Sequence, residues 1–256
     1  MHPRTLIAGL VTLAAASAFV RLGIWQLERL GERRARNVML ASRFGESPID
    51  ATQLSDDSAS TRYRRVTLSG TYDYDHEVVL SARSLNGSPG VNLATPLHPD
   101  GGGRAILVNR GWVFSGDAYT VDQKRWREPV HTRVSGYVEE FRPADRPVAA
   151  GAPARRVLDG AALAKELPYP IAPFYVVAVA DSAHPAVQVA ASGKQAAAAV
   201  GGVGATPVGE SPVRLSLPVL DEGPHASYAI QWFFFAAIAL FGLVFLVRQE
   251  RRRPGG

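Results

Sequence analysis

The sequence predicts a membrane protein in which two transmembrane α-helices flank a mostly-β (α+β) extracytoplasmic domain. Three observations carry that expectation. Uncharged apolar runs stand near both ends of the 256-residue chain, arginines crowd the end of the second run, and the stretch between alternates in the manner of strands. Apolar residues make up 46% and charged residues 20%, which excludes a wholly disordered chain. The cysteine count is 0, which removes disulfide frameworks, thiolate metal sites and Cys nucleophiles. The net charge of +5 is too small an excess to point to nucleic acid.

Leu6 to Val20 is the first run, 15 uncharged residues after Arg4. Arg21 interrupts it, and Leu22-Gly23-Ile24-Trp25 continues. One reading is a signal peptide, with Arg4 as its basic region and Ala16-Ser17-Ala18 as the cleavage site. The other is a membrane helix over residues 6–25, with Arg21 snorkelling and Trp25 at the interface. Glu28 to Phe44 continues as a solvated helix, supported by the i,i+4 pair Glu32 and Arg36.

The domain then spans residues 26–224. Tyr63 to Tyr72 is rich in Tyr, Val and Thr and alternates, which is strand chemistry. His76 to Ala82 is a second strand. Asn86 to Gly90 is a turn cluster, and Val91 to Leu97 the strand after it. Pro99 to Gly103 turns again, and Arg104 to Asn109 reads as a buried strand. Val130 to Glu140 and Pro173 to Ala180 complete the set. One short helix is expected at Asp159 to Leu167, with an acidic cap and Pro168 as its stop. Residues 185–212 are small and repetitive and read as a flexible insertion. Gly193-Lys194-Gln195 within it is no phosphate loop, because no Ser or Thr follows the Lys.

Tyr228 to Val247 is the strongest feature, 20 residues without a charge. At ~1.5 Å per residue it matches the roughly 30 Å hydrocarbon thickness of a bilayer. We place the second span at residues 225–247 and a basic tail at 248–256. Arg248, Arg251, Arg252 and Arg253 mark that tail as cytoplasmic. Both termini are then cytoplasmic and the domain lies outside. Arg29, Arg33, Arg34 and Arg36, just after the first span, argue against this locally, but long domains translocate largely regardless of charge.

No GxSxG, HExxH or dinucleotide fingerprint is present. Asp73, Asp75 and Glu77 alternate, and on a strand they would share one face that could hold a cation; more often such a triplet is the wet face of a strand or a loop. His76, His98, His131 and His184 lack ligand spacing. At the second span, Pro224 suits a first helical position and Gly223 a cap. His225, Tyr228, Trp232, Phe235, Ala239 and Gly242 step by 3 or 4 and share a helix face. A His at a helix N-terminus favours the neutral form that ligates haem iron. An interfacial aromatic belt is the competing reading of the same face. A membrane-anchored extracytoplasmic enzyme or binding module is the alternative function, and it needs convergent acids, bases or metal ligands in the β domain.

Leu22-Gly23-Ile24-Trp25-Gln26-Leu27-Glu28-Arg29 resembles the LGxWQLxR motif of the Surfeit-locus (Shy-type) cytochrome c oxidase assembly family. Tyr63-Arg64-Arg65-Val66, Thr95-Pro96-Leu97, Val108-Asn109-Arg110-Gly111-Trp112-Val113 and Val134-Ser135-Gly136 are similar to its later segments. His225-Ala226-Ser227-Tyr228-Ala229-Ile230-Gln231-Trp232-Phe233 is similar to its HxxYAxQWF motif. The resemblance implies a non-enzymatic assembly factor of the bacterial inner membrane with an uncleaved first helix. It implies haem a as cofactor, a haem-copper oxidase catalytic subunit and a haem a synthase as partners, and the lipid bilayer as host. It makes His225 the candidate haem ligand, with Tyr228 and Trp232 beside it and Trp25 and Gln26 on the other helix. Glu222-Gly223-Pro224 stands where many members carry an Asn. For Arg110-Gly111-Trp112 the residues suggest a bulge or strand end that anchors the domain near the membrane, or a core Trp beside a surface Arg.

Overall fold

The computed structural model describes residues 3–146, 151–180, 211–218 and 220–252. The expected insertion at 185–212 lies outside the described residues except for its last two positions, as do His184 and the end of the basic tail. The chain divides into two units, one of residues Met1–Ser42 with Val219–Gly256 and one of Arg43–Pro218.

The first unit is a helix pair. Helix α1 runs unbroken over Pro3–Gly45. At ~1.5 Å per residue its 43 residues extend roughly 65 Å. The apolar first span and the charged Glu28–Phe44 stretch are thus one helix. Its partner, called α4 below, covers His225–Arg252. Leu6–Gly45 and His225–Glu250 are both long and apolar enough to cross a membrane. Their apolar side chains are left outside the protein: Phe241 is 75% and Ile230 71% exposed. A core helix of a water-soluble protein would bury such residues.

The two helices meet along a narrow seam and run antiparallel. On α1 the residues drawn from solvent include Ala16, Gly23 and Leu30. On α4 Ala229 and Ala236 are buried. The Phe19 and Trp232 rings stack at 5.7 Å. A Cβ at Gly23 would run into the Phe233 ring, so glycine there lets that ring approach the backbone.

The second unit is a β-barrel with an added layer. Strands β1 (Ile49–Asp50), β2 (Arg65–Tyr72), β3 (Val78–Leu85), β4 (Ser88–Pro99), β5 (Ala105–Phe114), β6 (His131–Glu140) and β7 (Ile171–Ala178) form one sheet in the order β1-β2-β6-β7-β5-β4-β3. A further pairing of β2 with β4, Gly70 opposite Pro99, closes five of them into a ring. Val66, Leu68, Val108, Val134, Val138, Phe174 and Val176 fill its interior. Leu107, on the opposite face of β5 from Val108, packs with Leu158, Leu163 and Leu167 around α3 (Gly160–Glu166). Burial on both faces explains why β5 reads as a continuous apolar run rather than an alternation. A four-residue helix, α2 (Ser58–Thr61), precedes β2.

Most strand expectations hold to within a few residues. The Asn86–Gly90 turn is tighter than expected: Asn86 and Gly87, both at positive φ, make it, and Ser88, Pro89 and Gly90 already belong to β4. The short helix is capped as foreseen, Asp159 accepting from the Ala162 amide at 3.1 Å. It also accepts from Ala144 N at 2.9 Å, and these amides hold its carboxyl below the usual range. Edge strand β3 carries a register shift between Leu80 and Arg83. Its outer edge is occupied: Arg155 N donates to Val79 O, Ser81 N to Arg155 O, and Ala82 N to Ala118 O.

Candidate functional site

The helix pair brings two motif residues together at one end of its seam. Pro224 O accepts from Tyr228 N at 3.1 Å, which makes Pro224 the cap and His225 the first helical residue, one place later than the sequence suggests. Gly223 takes φ +64°, a conformation open to glycine, and turns the chain into the helix. His225 Nδ1 then meets Gln26 Oε1 of α1 at 2.8 Å. An amide oxygen only accepts, so Nδ1 donates in this contact and Nε2 is left out of it. A side chain at Gly223 would lie beside that nitrogen, 3.7 Å away at its Cβ. The site is therefore a half-buried imidazole, oriented by a carboxamide, with its other ring nitrogen next to a glycine.

The other candidate residues are placed differently. Trp232 is one helical stretch deeper and held between Phe19 and Phe235, at 5.7 and 5.9 Å between ring centroids. Tyr228 and Trp25 are 47% and 44% exposed, and Trp25 lies under the Arg29 guanidinium at 5.6 Å. The buried seam of α4 passes through Ala229 and Ala236, so Tyr228, Phe235 and Gly242 stand to one side of it.

Just before α4, acidic side chains meet the basic stretch of α1. Arg33 Nη2 donates to Asp221 Oδ1 at 2.6 Å. Arg34 grips Glu222 with two bonds, 2.8 and 2.9 Å. Asn37 donates to Asp221 O at 2.7 Å. The pairing holds the Asp221 and Glu222 carboxyls below the usual range and raises Arg34.

The barrel holds a second polar assembly. Arg110 is fully buried, which overturns both sequence readings of it, as a membrane anchor and as a surface Arg. Its Nη2 donates to Glu77 Oε2 at 2.5 Å and its Nη1 to Glu128 Oε2 at 3.0 Å. Its Nε donates to Thr95 Oγ1 at 2.8 Å. Arg214 Nη2 donates to the other oxygen of Glu128 at 2.5 Å, and its Nη1 to the Arg110 carbonyl. The Tyr72 and Tyr74 rings flank the Arg110 guanidinium at 5.6 and 5.0 Å. Two buried cations thus face two buried anions, which is how such charges survive out of water. Trp112 is core, as one reading had it, and the bulge is real: Gly111 has φ +132° opposite a register shift in β4. That conformation and the absence of a side chain admit the Val213 carbonyl, and Trp112 and Val213 exchange backbone bonds at 2.9 and 2.8 Å.

The acidic triplet does not form a cation site. Tyr74–His76 is a turn of 3-10 helix rather than strand, so the alternation is broken. Asp73 caps it and accepts from Tyr169 Oη at 2.6 Å, Asp75 is exposed, and Glu77 serves Arg110. Among the described residues no group of three or more His, Cys, Asp or Glu is placed to hold a metal ion.

The model of the SURF1 family matches residues 13–237. The chain belongs to the SURF1 family. A SURF1-like protein of Monosiga brevicollis is 27% identical over 91% of this chain and 85% of its own length. An uncharacterized SURF1-like protein of Mycobacterium bovis is 29% identical over 100% of this chain and 89% of its own. The cytochrome oxidase assembly protein SHY1 of Saccharomyces cerevisiae is 30% identical over 36% of this chain and 24% of its own.

In this SURF1-family chain the matched region takes in both Gln26 and His225. The sequence pointed to both residues but not to their bond. Sequence reasoning missed the Glu77–Arg110–Glu128–Arg214 assembly. Its one local signal was an Arg inside the apolar run of β5, which in a buried strand demands acidic partners from elsewhere in the chain.

Proposed function

We propose that this chain is a membrane-anchored assembly factor for a haem-copper terminal oxidase, and that His225 presents a ligating nitrogen to haem a on its way to the catalytic subunit. The observation that carries the reading is the His225–Gln26 bond at 2.8 Å, which joins the two motif helices and engages Nδ1 rather than Nε2. Ligating histidines characteristically donate their other ring nitrogen to an oxygen in this way. The donor set would supply one ligand to the haem iron: a single imidazole, with no other His in either helix among the described residues. The SHY1 relative lends its name to the oxidase role.

The topology we propose is two spans with the barrel outside and both ends of the chain inside. The arginines after the first span speak against it less than their number suggests, because Arg33 and Arg34 are neutralised by Asp221 and Glu222. Deletion of the gene tests the role: oxidase activity and haem a occupancy fall together, while normal, fully loaded oxidase refutes it. His225→Ala tests the ligand. The purified variant is expected to lose its pigment and the characteristic absorbance of ligated haem; unchanged stoichiometry removes His225 from the site.

A further inference from the structure

The outer face of the barrel carries a cavity of about 280 Å³ that neither the oxidase role nor the helix-end histidine uses. Leu80, Asn92, Asn109, Val177 and Tyr137 line it from five strands, β3, β4, β5, β7 and β6. Leu158 and Leu215 also line it. Its lining mixes apolar side chains with amides and basic groups. Arg83, Arg142 and Arg156 stand there, and no described carboxylate lies within ion-pair distance of any of the three. The Arg83 guanidinium is held in place by a bond to the Arg156 carbonyl at 2.6 Å. Burial lowers its pKa, with Tyr175 opposing and the Arg142 charge adding to the fall.

The carboxylates of the lining are already engaged. Glu139 meets Arg62 at 2.7 Å and Glu140 meets it at 3.4 Å. Among the described residues, the three lining guanidiniums and Arg62, which stands outside the lining, face two carboxylates, an excess of two positive charges. Deeper in, Asn92 is 6% exposed and its Oδ1 has no hydrogen-bond partner. A buried acceptor of that kind calls for a donor that occupies the cavity.

We propose that this cavity binds a phosphate monoester with a small apolar or aromatic body. The dianion of a monoester matches the charge excess, and guanidinium forks suit its oxygens. A carboxylate, or the singly charged diester of a phospholipid headgroup, would leave part of that excess uncompensated. The esterified group lies on Leu80, Leu158, Val177 and Leu215, between the Tyr137 and Tyr175 rings, and a hydroxyl or protonated oxygen reaches Asn92. The volume falls just under the ~300–1,000 Å³ of sites for drug-sized ligands, which selects a compact molecule. The proposal does not depend on the oxidase reading.

Calorimetry on the full chain in detergent, with phenyl phosphate as probe, tests it. Phenyl phosphate is expected to bind, inorganic phosphate to bind more weakly, and phenol not to compete. The variant Arg142→Gln/Arg156→Gln alters two exposed side chains and keeps the barrel's melting behaviour; it is expected to weaken phenyl phosphate by about tenfold or more, since charge-assisted bonds are lost. Asn92→Leu, which fills the cavity, is expected to abolish binding. Absence of binding, equal affinity in the double Arg variant, or inorganic phosphate binding as tightly as the ester overturns the proposal.

Discussion

The same two residue types, arginine and a carboxylate, are joined in two places under opposite conditions. In the barrel, Arg110 and Arg214 meet Glu77 and Glu128 with almost no access to water. Beside the helix ends, Arg33 and Arg34 meet Asp221 and Glu222 at the surface. Distances are similar, yet the consequences differ. A surface pair exchanges hydration for contact at little net gain. A buried cluster stabilises little as a whole, but each member becomes indispensable once the others are out of water. The difference teaches that an ion pair's length says little about its role. What matters is what its partners would face alone.

Arg110→Met puts the largest strain on that comparison. It strands Glu77 and leaves Glu128 with Arg214 only, and is expected to cost about 3–5 kcal/mol in denaturant unfolding of the barrel. A loss below about 1 kcal/mol would mean the cluster is hydrated after all. Arg214→Gln is next. Glu128 keeps Arg110, so the expected loss is about 1.5–3 kcal/mol, the range for hydrogen bonds to charged groups. Its unfolding should begin at the 211–218 segment, which hydrogen exchange at Trp112 and Val213 would register.

The pH dependence sharpens the contrast from another side. Burial, aided by Glu139, pushes the Tyr175 phenol up to about 12 from 10.0. The folded barrel therefore favours the protonated phenol. Its stabilising contribution is complete below pH 10 and is lost as the pH rises toward about 12. Tyrosinate absorbance should appear late and together with unfolding. At the helix ends the sign is reversed: the lowered Glu222 carboxyl favours folding above its ordinary value of 4.5, and the effect fades as the pH falls below it. The smallest effect is expected for Arg34→Gln, a shift in melting within measurement error at physiological salt and visible only when salt is lowered.

Much of the architecture was legible because its signals are local. Residues 228–247 announce a long apolar helix by length alone, and alternation announces β2, β6 and β7. Asp159 before an apolar turn announces a capped helix. What escaped was set by contacts distant in sequence. The ring closure depends on Gly70 meeting Pro99, which no window of sequence contains. Arg110 was misread because its acidic partners come from before β3 and from after the 3-10 turn at Gln123–Trp126. The acidic triplet left two readings, the wet face of a strand or loop and a cation site; the Asp73 side chain captures its own backbone two residues on, and Glu77 is drawn inside to Arg110. For the histidine site, the motifs supplied Gln26 and His225, and the antiparallel register supplied their meeting.

The covered rim of β3 bears on how another chain could dock. With Val79, Ser81 and Ala82 already committed to Arg155 and Ala118, and with β1 only two residues long, the sheet offers no lengthy ladder among the described residues for another chain to extend. Recognition by strand addition is therefore closed to the barrel. Whatever docks on it must be read through side chains, so specificity can drift by surface substitution while the hydrogen-bonded frame beneath stays as it is.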